Sequence, residues 1–431
     1  MKYVTNIENQ IYFQEQKYKV KNLKENLEMN VIQIYSDVEK QDWLGMGAAL
    51  TQSSNDNFLK LSSEKQEELL SDYFSLQGLN YDYLRLPIGS CDFSNYSYSY
   101  VNKQDFSDFS LEEDEEHIFP MLNKIKEVKD VTCLATPWSP PSIWKKHKNM
   151  YKGDTLKKEY YSSYAKYLAK YIEQMKSRGV NISYLSMQNE PFAKQTWESC
   201  VWTLEEQKEF INEYLIPELR NSKVETKILL WDHNKEDLYR VTKELYEGQE
   251  EVAGVCFHWY SGGHFEQLSL ISEKYPKILL VESEMCTGYS TYSEEEWAKD
   301  ASYYLKEIIN NINHGMNLWF DWNLLLDYHG GPNHKNNYCK SPIILNEETK
   351  DYIKTPIYYF LKHIAVIPRS SKVVFSSSYS TDLLCVAMKH EEELYVVIFN
   401  QGWDRKKYHL VFNNLVIDDE IEGCSVVTYI L

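Results

Sequence analysis

The sequence predicts a (β/α)₈ barrel carrying a β-sandwich built from both chain termini. Three observations support this. Eight short apolar runs alternate with longer helical patterns between about Gly45 and Phe320. Polar, chemically capable residues gather where those runs end. The last stretch, Val373 to Leu431, changes to strand-type alternation without helices. Apolar runs that are hydrophobic throughout fit a parallel sheet covered on both faces, and eight strand–helix units favour a closed barrel over an open sheet.

In order, the runs are Gly45 to Leu50, Tyr83 to Leu86, Val131 to Thr136, Tyr184 to Gln188, Lys227 to Trp231, Val252 to His258, Ile278 to Val281 and Asn317 to Phe320. Helical patterns lie between them. Ser62 to Ser75 opens on the capping string Ser62-Ser63-Glu64-Lys65, and Lys157 to Lys176 repeats Tyr, Leu and Ile at three- and four-residue steps. Glu205 to Leu219, Lys235 to Tyr246, His264 to Tyr275 and Glu294 to Asn313 follow. Five strands are expected after Val373, with turns at Asn400-Gln401-Gly402 and Asn413-Asn414, and strands at Ile11 to Phe13 and Val31 to Tyr35 join them. The expected division is 1–40 for the N-terminal strands, 41–362 for the barrel and 363–431 for the C-terminal sandwich.

Composition narrows the function. The 431 residues carry a formal charge of -18, which repels nucleic acid and anionic membrane. No apolar stretch reaches the ~20 residues of a membrane span. The first residues show no basic stretch followed by an apolar run, and the eight cysteines form no Cys-x-x-Cys pair. Free thiols in a reducing cytoplasm are the expectation. The 35 tyrosines and 11 tryptophans suit sugar faces but also fill cores.

Barrel active sites lie at the carboxyl ends of the strands. There the sequence has Arg85-Leu86-Pro87, Thr136-Pro137-Trp138, Asn189-Glu190-Pro191, Asp232-His233, His258-Trp259-Tyr260, Ser283-Glu284 and Asp321-Trp322-Asn323. Two glutamates at the mouths of separate strands match acid-assisted glycosidic cleavage: one protonates the leaving oxygen, and the other attacks the anomeric carbon or activates water. Glu190 precedes proline, which pushes it toward extended backbone. Glu284 has a rival in Glu282, two residues earlier. On a regular strand both point the same way, placing Glu282 one layer deeper in the barrel, ion-paired to Arg85 or a lysine.

His258 and Tyr260 are placed to orient a sugar or the nucleophile. His264, His329 and His334 lack metal-ligand spacing, so no metal and no cofactor are expected. Cys286 has no evident histidine partner, so packing or substrate contact is its expected role. Gly45-Met46-Gly47 is too short a signal for a phosphate loop. Tyr96 to Ser110 reads as a loop, either over the site or on the surface.

Taken in order, these strings resemble glycoside hydrolase family 30, which includes acid β-glucosidase. The segments that carry the likeness are Gly45 to Thr51, Arg85 to Ser94, Pro137 to Pro141, Asn189 to Pro191, His258 to Tyr260, Ser283-Glu284, Asp321 to Asn323 and Gly330 to Asn333. The resemblance implies retention through a covalent glycosyl-enzyme, with Glu190 as acid/base, Glu284 as nucleophile and their carboxyls ~5 Å apart. It also implies that Asn189 contacts the sugar 2-hydroxyl, that Arg85 keeps Glu284 ionised, and that Asp92, Trp138 and Trp322 form the innermost subsite. Tyr260, Cys286 and Asn333 would line the same cleft. Glu282 stands where the compared glucosylceramidase has a small residue. The string Cys91-Asp92-Phe93-Ser94 favours a hexose such as glucose over xylan. Imported oligosaccharides or small glycosides, including β-1,6-glucan fragments, are then more natural substrates than membrane ceramides. Xylosides, fucosides or galactosides cleaved by the same mechanism, transglycosylation, and a catalytically silent sugar-binding barrel are the alternatives; the intact pair of glutamates counts against the last.

Overall fold

The computed structural model describes residues 1–23, 27–288 and 294–431. Eight parallel strands close into a barrel: β1 Gly45–Ala49, β2 Tyr83–Ile88, β3 Thr132–Pro137, β4 Ile182–Ser186, β5 Lys227–Asn234, β6 Val252–His258, β7 Leu279–Glu284 and β8 Leu318–Asp321. All eight coincide with the apolar runs of the sequence. Alternate residues fill the inside, where Leu134, Leu229, Cys256, Val281, Leu318 and Phe320 pack together. The intervening residues, such as Leu84, Leu86, Ile228, Leu230 and Trp319, face the helices in the largest hydrophobic core. Gly254 allows β6 and β7 to approach closely: a Cβ there would lie 2.1 Å from the Leu279 carbonyl oxygen.

The helix layer follows the sequence pattern in most places. Ser62 caps Ser63–Phe74 by accepting from the Lys65 amide. The expected helix over Glu205 to Leu219 is real but contains a π-turn, Phe210–Leu215, between α-helical ends. Among the helices of at least eight residues, three went unread: Gln52–Leu59, Phe119–Val128 and Pro356–Ala365. The first is built of short polar residues with a weak apolar stripe, and the other two carry a proline in their first turn. Proline reads as a breaker in sequence yet suits a helix start.

The chain termini form one ten-stranded sheet folded over on itself. Six C-terminal strands take part; the unexpected one, Leu415–Ile421, alternates with acidic residues on its outer face. Val31–Trp43 runs thirteen residues, paired in the sheet to its end, and delivers the chain to β1. A core of residues such as Ile32, Val396, Leu410, Ile417 and Tyr429 lies between the two halves. Leu326–Asp327, Ile343–Asn346 and Asp351–Lys354 form a small sheet in the connection after β8. No helix among the described residues is long and apolar enough to cross a membrane.

His363, on Pro356–Ala365, ties the sheet to the barrel. One ring nitrogen pairs with Thr5 Oγ1 and the other with Thr428 Oγ1, both at 2.7 Å. Burial, with nearby Lys362 adding to it, pushes its pKa down to about 3, so the ring is neutral when folded. The unfolded chain therefore binds more protons between about pH 6.5 and 3, and stability falls as the pH drops through that window. His363→Gln is expected to remove a few kcal/mol of this acid sensitivity, read as a flatter plot of urea midpoint against pH from 7 to 4.

Candidate active site

Two irregularities at the carboxyl ends of the strands decide which side chains meet. In β5, Trp231 and Asp232 both have positive φ, 72° and 63°, where the β5–β6 register shifts. This bulge turns Asp232 fully inward. The second shift lies between β6 and β7, where Phe257 is level with Glu282 and His258 with Glu284. Val281 and Ser283 point inside; Ser283 Oγ donates to Asp232 Oδ1. The residue skipped in the register lets Glu284 turn inward as well.

Glu282 is therefore not beneath Glu284. It faces the helix layer, where its Oε2 accepts from Asn311 Nδ2 at 2.9 Å. Arg85 does not pair with it, and Lys235 bonds Glu307 and Asn311 rather than Glu282. Burial, reinforced by the charge of Glu307, pushes the Glu282 pKa up to about 8.

Arg85, at the centre of β2, is wholly buried. Its Nη1 donates to Glu284 Oε2 at 2.6 Å; its Nη2 donates to Asn189 Oδ1 at 2.7 Å and Asp232 Oδ2 at 3.2 Å. The guanidinium also stands 4.8 Å from the Trp138 ring and 5.6 Å from Trp322. Burial opposes its charge, but Asp232 and Glu284 more than offset that. Asp232 takes further bonds from Thr136 Oγ1 at 3.2 Å and His258 Nε2 at 3.1 Å. Despite burial, Arg85 and His258 hold its carboxyl well below the usual range.

Glu190 lies across the mouth from this arginine. Its backbone is left-handed, with φ 47°, and not extended. The Glu190 amide donates to the Asp232 carbonyl at 2.9 Å, and its own carbonyl accepts from the Ala193 amide at 2.9 Å. These tertiary bonds override the local preference of a residue before proline, at a cost of about 1–3 kcal/mol of backbone strain. Gln195 Nε2 donates to Oε2 at 3.1 Å. Oε1 lies 3.4 Å from His258 Nδ1 and 3.7 Å from His233 Nδ1. Burial favours the neutral carboxyl, but the two histidines outweigh it and hold the Glu190 pKa below the ordinary range. Burial lowers the His258 pKa; the charge of Glu284, the bond to Asp232 and the nearby Glu190 carboxylate prevail and carry it up to about 9.

A cavity of about 410 Å³ opens at this end of the barrel. Glu190, Glu284, Asp92, Trp138, Asn189, Tyr260, Trp322 and Cys286, all singled out in the sequence, line it. Arg85 and His258 sit behind its wall. Tyr260 donates to Glu284 Oε1 at 3.0 Å, and Trp138 stacks on Trp322 with centroids 5.4 Å apart. Asn333 is not in the wall: its amide holds its own loop through Lys335 and Asn337. Asn337 lines the cleft instead and donates to Asp92 Oδ2 at 2.7 Å. Burial pushes Asp92 up to about 7, with the Asn337 bond working against it.

Gln195, Trp197, His233, Tyr338 and Cys339 also line the cavity, though sequence reasoning did not select them. Cys339 Sγ is 3.2 Å from Cys286 Sγ, and all eight cysteines are free. His233 carried a signal, standing at the end of a barrel run; the others lie in long connections without a pattern. The Tyr96 to Ser110 loop is anchored beside the mouth, with Tyr100 buried against Tyr171 and its hydroxyl on Asp114. His334 bonds the Ser94 carbonyl, and His264 is 3.6 Å from Glu266.

A parallel barrel with two carboxylates and a tryptophan pair around one cavity at its carboxyl end defines a glycoside hydrolase. The chain belongs to glycosyl hydrolase family 30, whose TIM-barrel domain matches residues 44–367. It is 32% identical over 380 residues to putative glucosylceramidase 3 of Caenorhabditis elegans, covering 82% of this chain and 72% of that protein. It is 25% identical over 356 residues to an endo-1,6-beta-D-glucanase of Neurospora crassa, covering 79% and 73%. The crystal structure of SrfJ from Salmonella typhimurium superposes with a TM-score of 0.96 at 28% identity, covering 100% of this chain and 98% of that one.

The neutral carboxyl of Glu282 predicts a pH-dependent effect on stability. The unfolded glutamate ionises near pH 4.5 while the folded one holds its proton to about 8, so the folded state binds more protons and loses stability as pH rises through that window. Glu282→Gln is expected to leave stability at pH 4.5 nearly unchanged and to raise it by a few kcal/mol at pH 8, measured by urea unfolding at both values. Equal effects at the two pH values would show that burial does not keep this carboxyl neutral.

Proposed function

We propose that this protein is a retaining β-glycosidase acting on β-glucosides by double displacement, with Glu284 as nucleophile and Glu190 as acid/base. The observation that carries this reading is the asymmetry around the cavity. One carboxylate is bound to a buried guanidinium and a tyrosine hydroxyl, and the other faces two imidazoles at 3.4 and 3.7 Å. The first environment keeps an anion ready to attack; the second holds an exchangeable proton.

In the first step Glu284 attacks the anomeric carbon while Glu190 delivers a proton to the departing oxygen. His258 stores that proton in the free site, 3.4 Å from Glu190 Oε1. The charge of Glu284 helps keep it there. As Glu284 bonds to carbon that charge disappears, and the cluster releases its proton when the leaving oxygen needs it. In the second step Glu190 takes a proton from water, which attacks the glycosyl-enzyme. Asp92 accepts bonds from sugar hydroxyls, Asn189 reaches the 2-hydroxyl, and Trp138 and Trp322 bound the ring.

For the aglycone, Trp259 and Tyr260 also line an adjoining cavity of about 490 Å³ with Phe265 and Tyr303. Its aromatic lining suits a second sugar or another extended leaving group. A glucosylceramidase and an endo-1,6-glucanase among the relatives support glucose as the inner sugar, with β-1,6-glucan fragments as the second reading.

A panel of aryl β-glycosides (glucose, xylose, galactose, fucose) tests the assignment. The glucoside should be hydrolysed fastest, and Glu284→Gln should lose turnover. Glu190→Gln should slow poor leaving groups about 10²–10⁴-fold and spare activated ones at the first step. Glu282→Gln should retain activity. Preferred release of another sugar would move the substrate class, and an active Glu284→Gln would remove the nucleophile assignment.

A further inference from the structure

Around Glu190 the structure holds a donor set that acid/base chemistry alone does not require. Glu190 Oε1, His233 and His258 offer three ligand atoms that all lie within 4.8 Å of one another. The two nitrogen–oxygen separations, 3.4 and 3.7 Å, are too long for strong hydrogen bonds. They are close to the edge of a tetrahedron whose centre is about 2.0–2.2 Å from each corner.

The orientation of His258 adds a second, independent observation. Its Nε2 faces Asp232 Oδ1 at 3.1 Å, so that nitrogen carries a proton and donates it. The Asp232–His258 pair has the form of the carboxylate–histidine support found behind metal-bound imidazoles. His258 is fully buried, and its Nδ1 has no hydrogen-bond partner; His233 Nδ1 has none either. Both nitrogens are aimed at one carboxylate oxygen. A bare ring nitrogen repels the carboxylate, so a proton such as the one His258 holds, or a metal ion in its place, must lie between them. A single proton satisfies one of these contacts, whereas a divalent cation satisfies both. His233 and Glu190 border the cavity, which gives an ion a path in and leaves room for a water as a further ligand. Two imidazoles and one carboxylate suit first-row divalent ions such as Zn²⁺ better than Mg²⁺ or Ca²⁺.

We propose that Glu190, His233 and His258 form a site for a divalent transition-metal ion of the Zn²⁺ class, and that its occupation excludes hydrolysis. The ion takes the place of the exchangeable proton and ties up Glu190 Oε1, so the acid/base carboxylate cannot serve the leaving oxygen. The exclusion rests on the role given to Glu190 above; the binding does not.

The test uses Co²⁺ as a visible-absorbing stand-in, with Zn²⁺ competition, on the full chain. The expected result is one Co²⁺ per chain with a ligand-field spectrum that Zn²⁺ displaces, and at least tenfold weaker binding in His233→Ala and Glu190→Gln. Zn²⁺ should inhibit aryl glucoside hydrolysis over the same concentration range, and a chelator should restore it. Failure of the wild type to bind, or equal binding by His233→Ala and Glu190→Gln, overturns the site. Binding without inhibition overturns the exclusion. An enzyme that binds the ion but hydrolyses no glycoside when metal-free would overturn the hydrolase reading while leaving the site standing. Circular dichroism of each variant separates lost ligands from lost fold.

Discussion

A guanidinium with no exposed surface has to be neutralised where it stands, and the mouth of this barrel is arranged around that requirement. Arg85 cannot shed its proton, so its charge must be met by fixed carboxylates. Asp232 and Glu284 provide them, and Asn189 takes a further hydrogen bond. Removing one partner from such a buried pair typically costs 3–5 kcal/mol, because the other charge is left uncompensated. Each contact of Arg85 thereby also fixes something the site uses: the proposed nucleophile, the neighbour of the proposed acid/base residue, and the aspartate behind His258. The left-handed backbone of Glu190, Trp231 and Asp232 is the strain accepted to bring these groups onto one centre.

Most of the architecture was legible because it follows from periodicity. Eight apolar runs became eight strands, and the loss of helical spacing after Val373 marked the change to antiparallel sheet. Most of the cleft was legible too, because strand ends carry it. What escaped were departures from regular geometry. Alternation along a strand places Glu282 and Glu284 on the same side, and only the register shift against His258 separates them. The proline after Glu190 argued for extended backbone, and bonds from distant segments overruled it. In the loop after β8, Asn333 and Asn337 are chemically identical. Which one faces the cleft depends on the fold of that loop, and no local pattern records it.

The carboxyls surrounding the barrel show how one residue type serves different ends. Glu284 sits against a cation, Glu190 faces two histidines, and Glu282 stays neutral among helices. Burial alone would raise Glu190 and Glu282 alike; the charges of their nearest neighbours separate them. Asp92 lies between these extremes, with one amide opposing its burial.

The strand Val31–Trp43 has a consequence in time as well as in space. It pairs along its length with Ser371–Ser378, and its first residues pair with His409 to Val411. Nearly the whole barrel is translated between these partners. During synthesis Val31–Trp43 therefore leaves the ribosome long before its partners exist, while the barrel can already close. The termini dock last, and His363 forms its two threonine contacts only when both ends have arrived. Until then the chain carries unpaired strand edges, the kind of surface on which nascent proteins aggregate or attract chaperones.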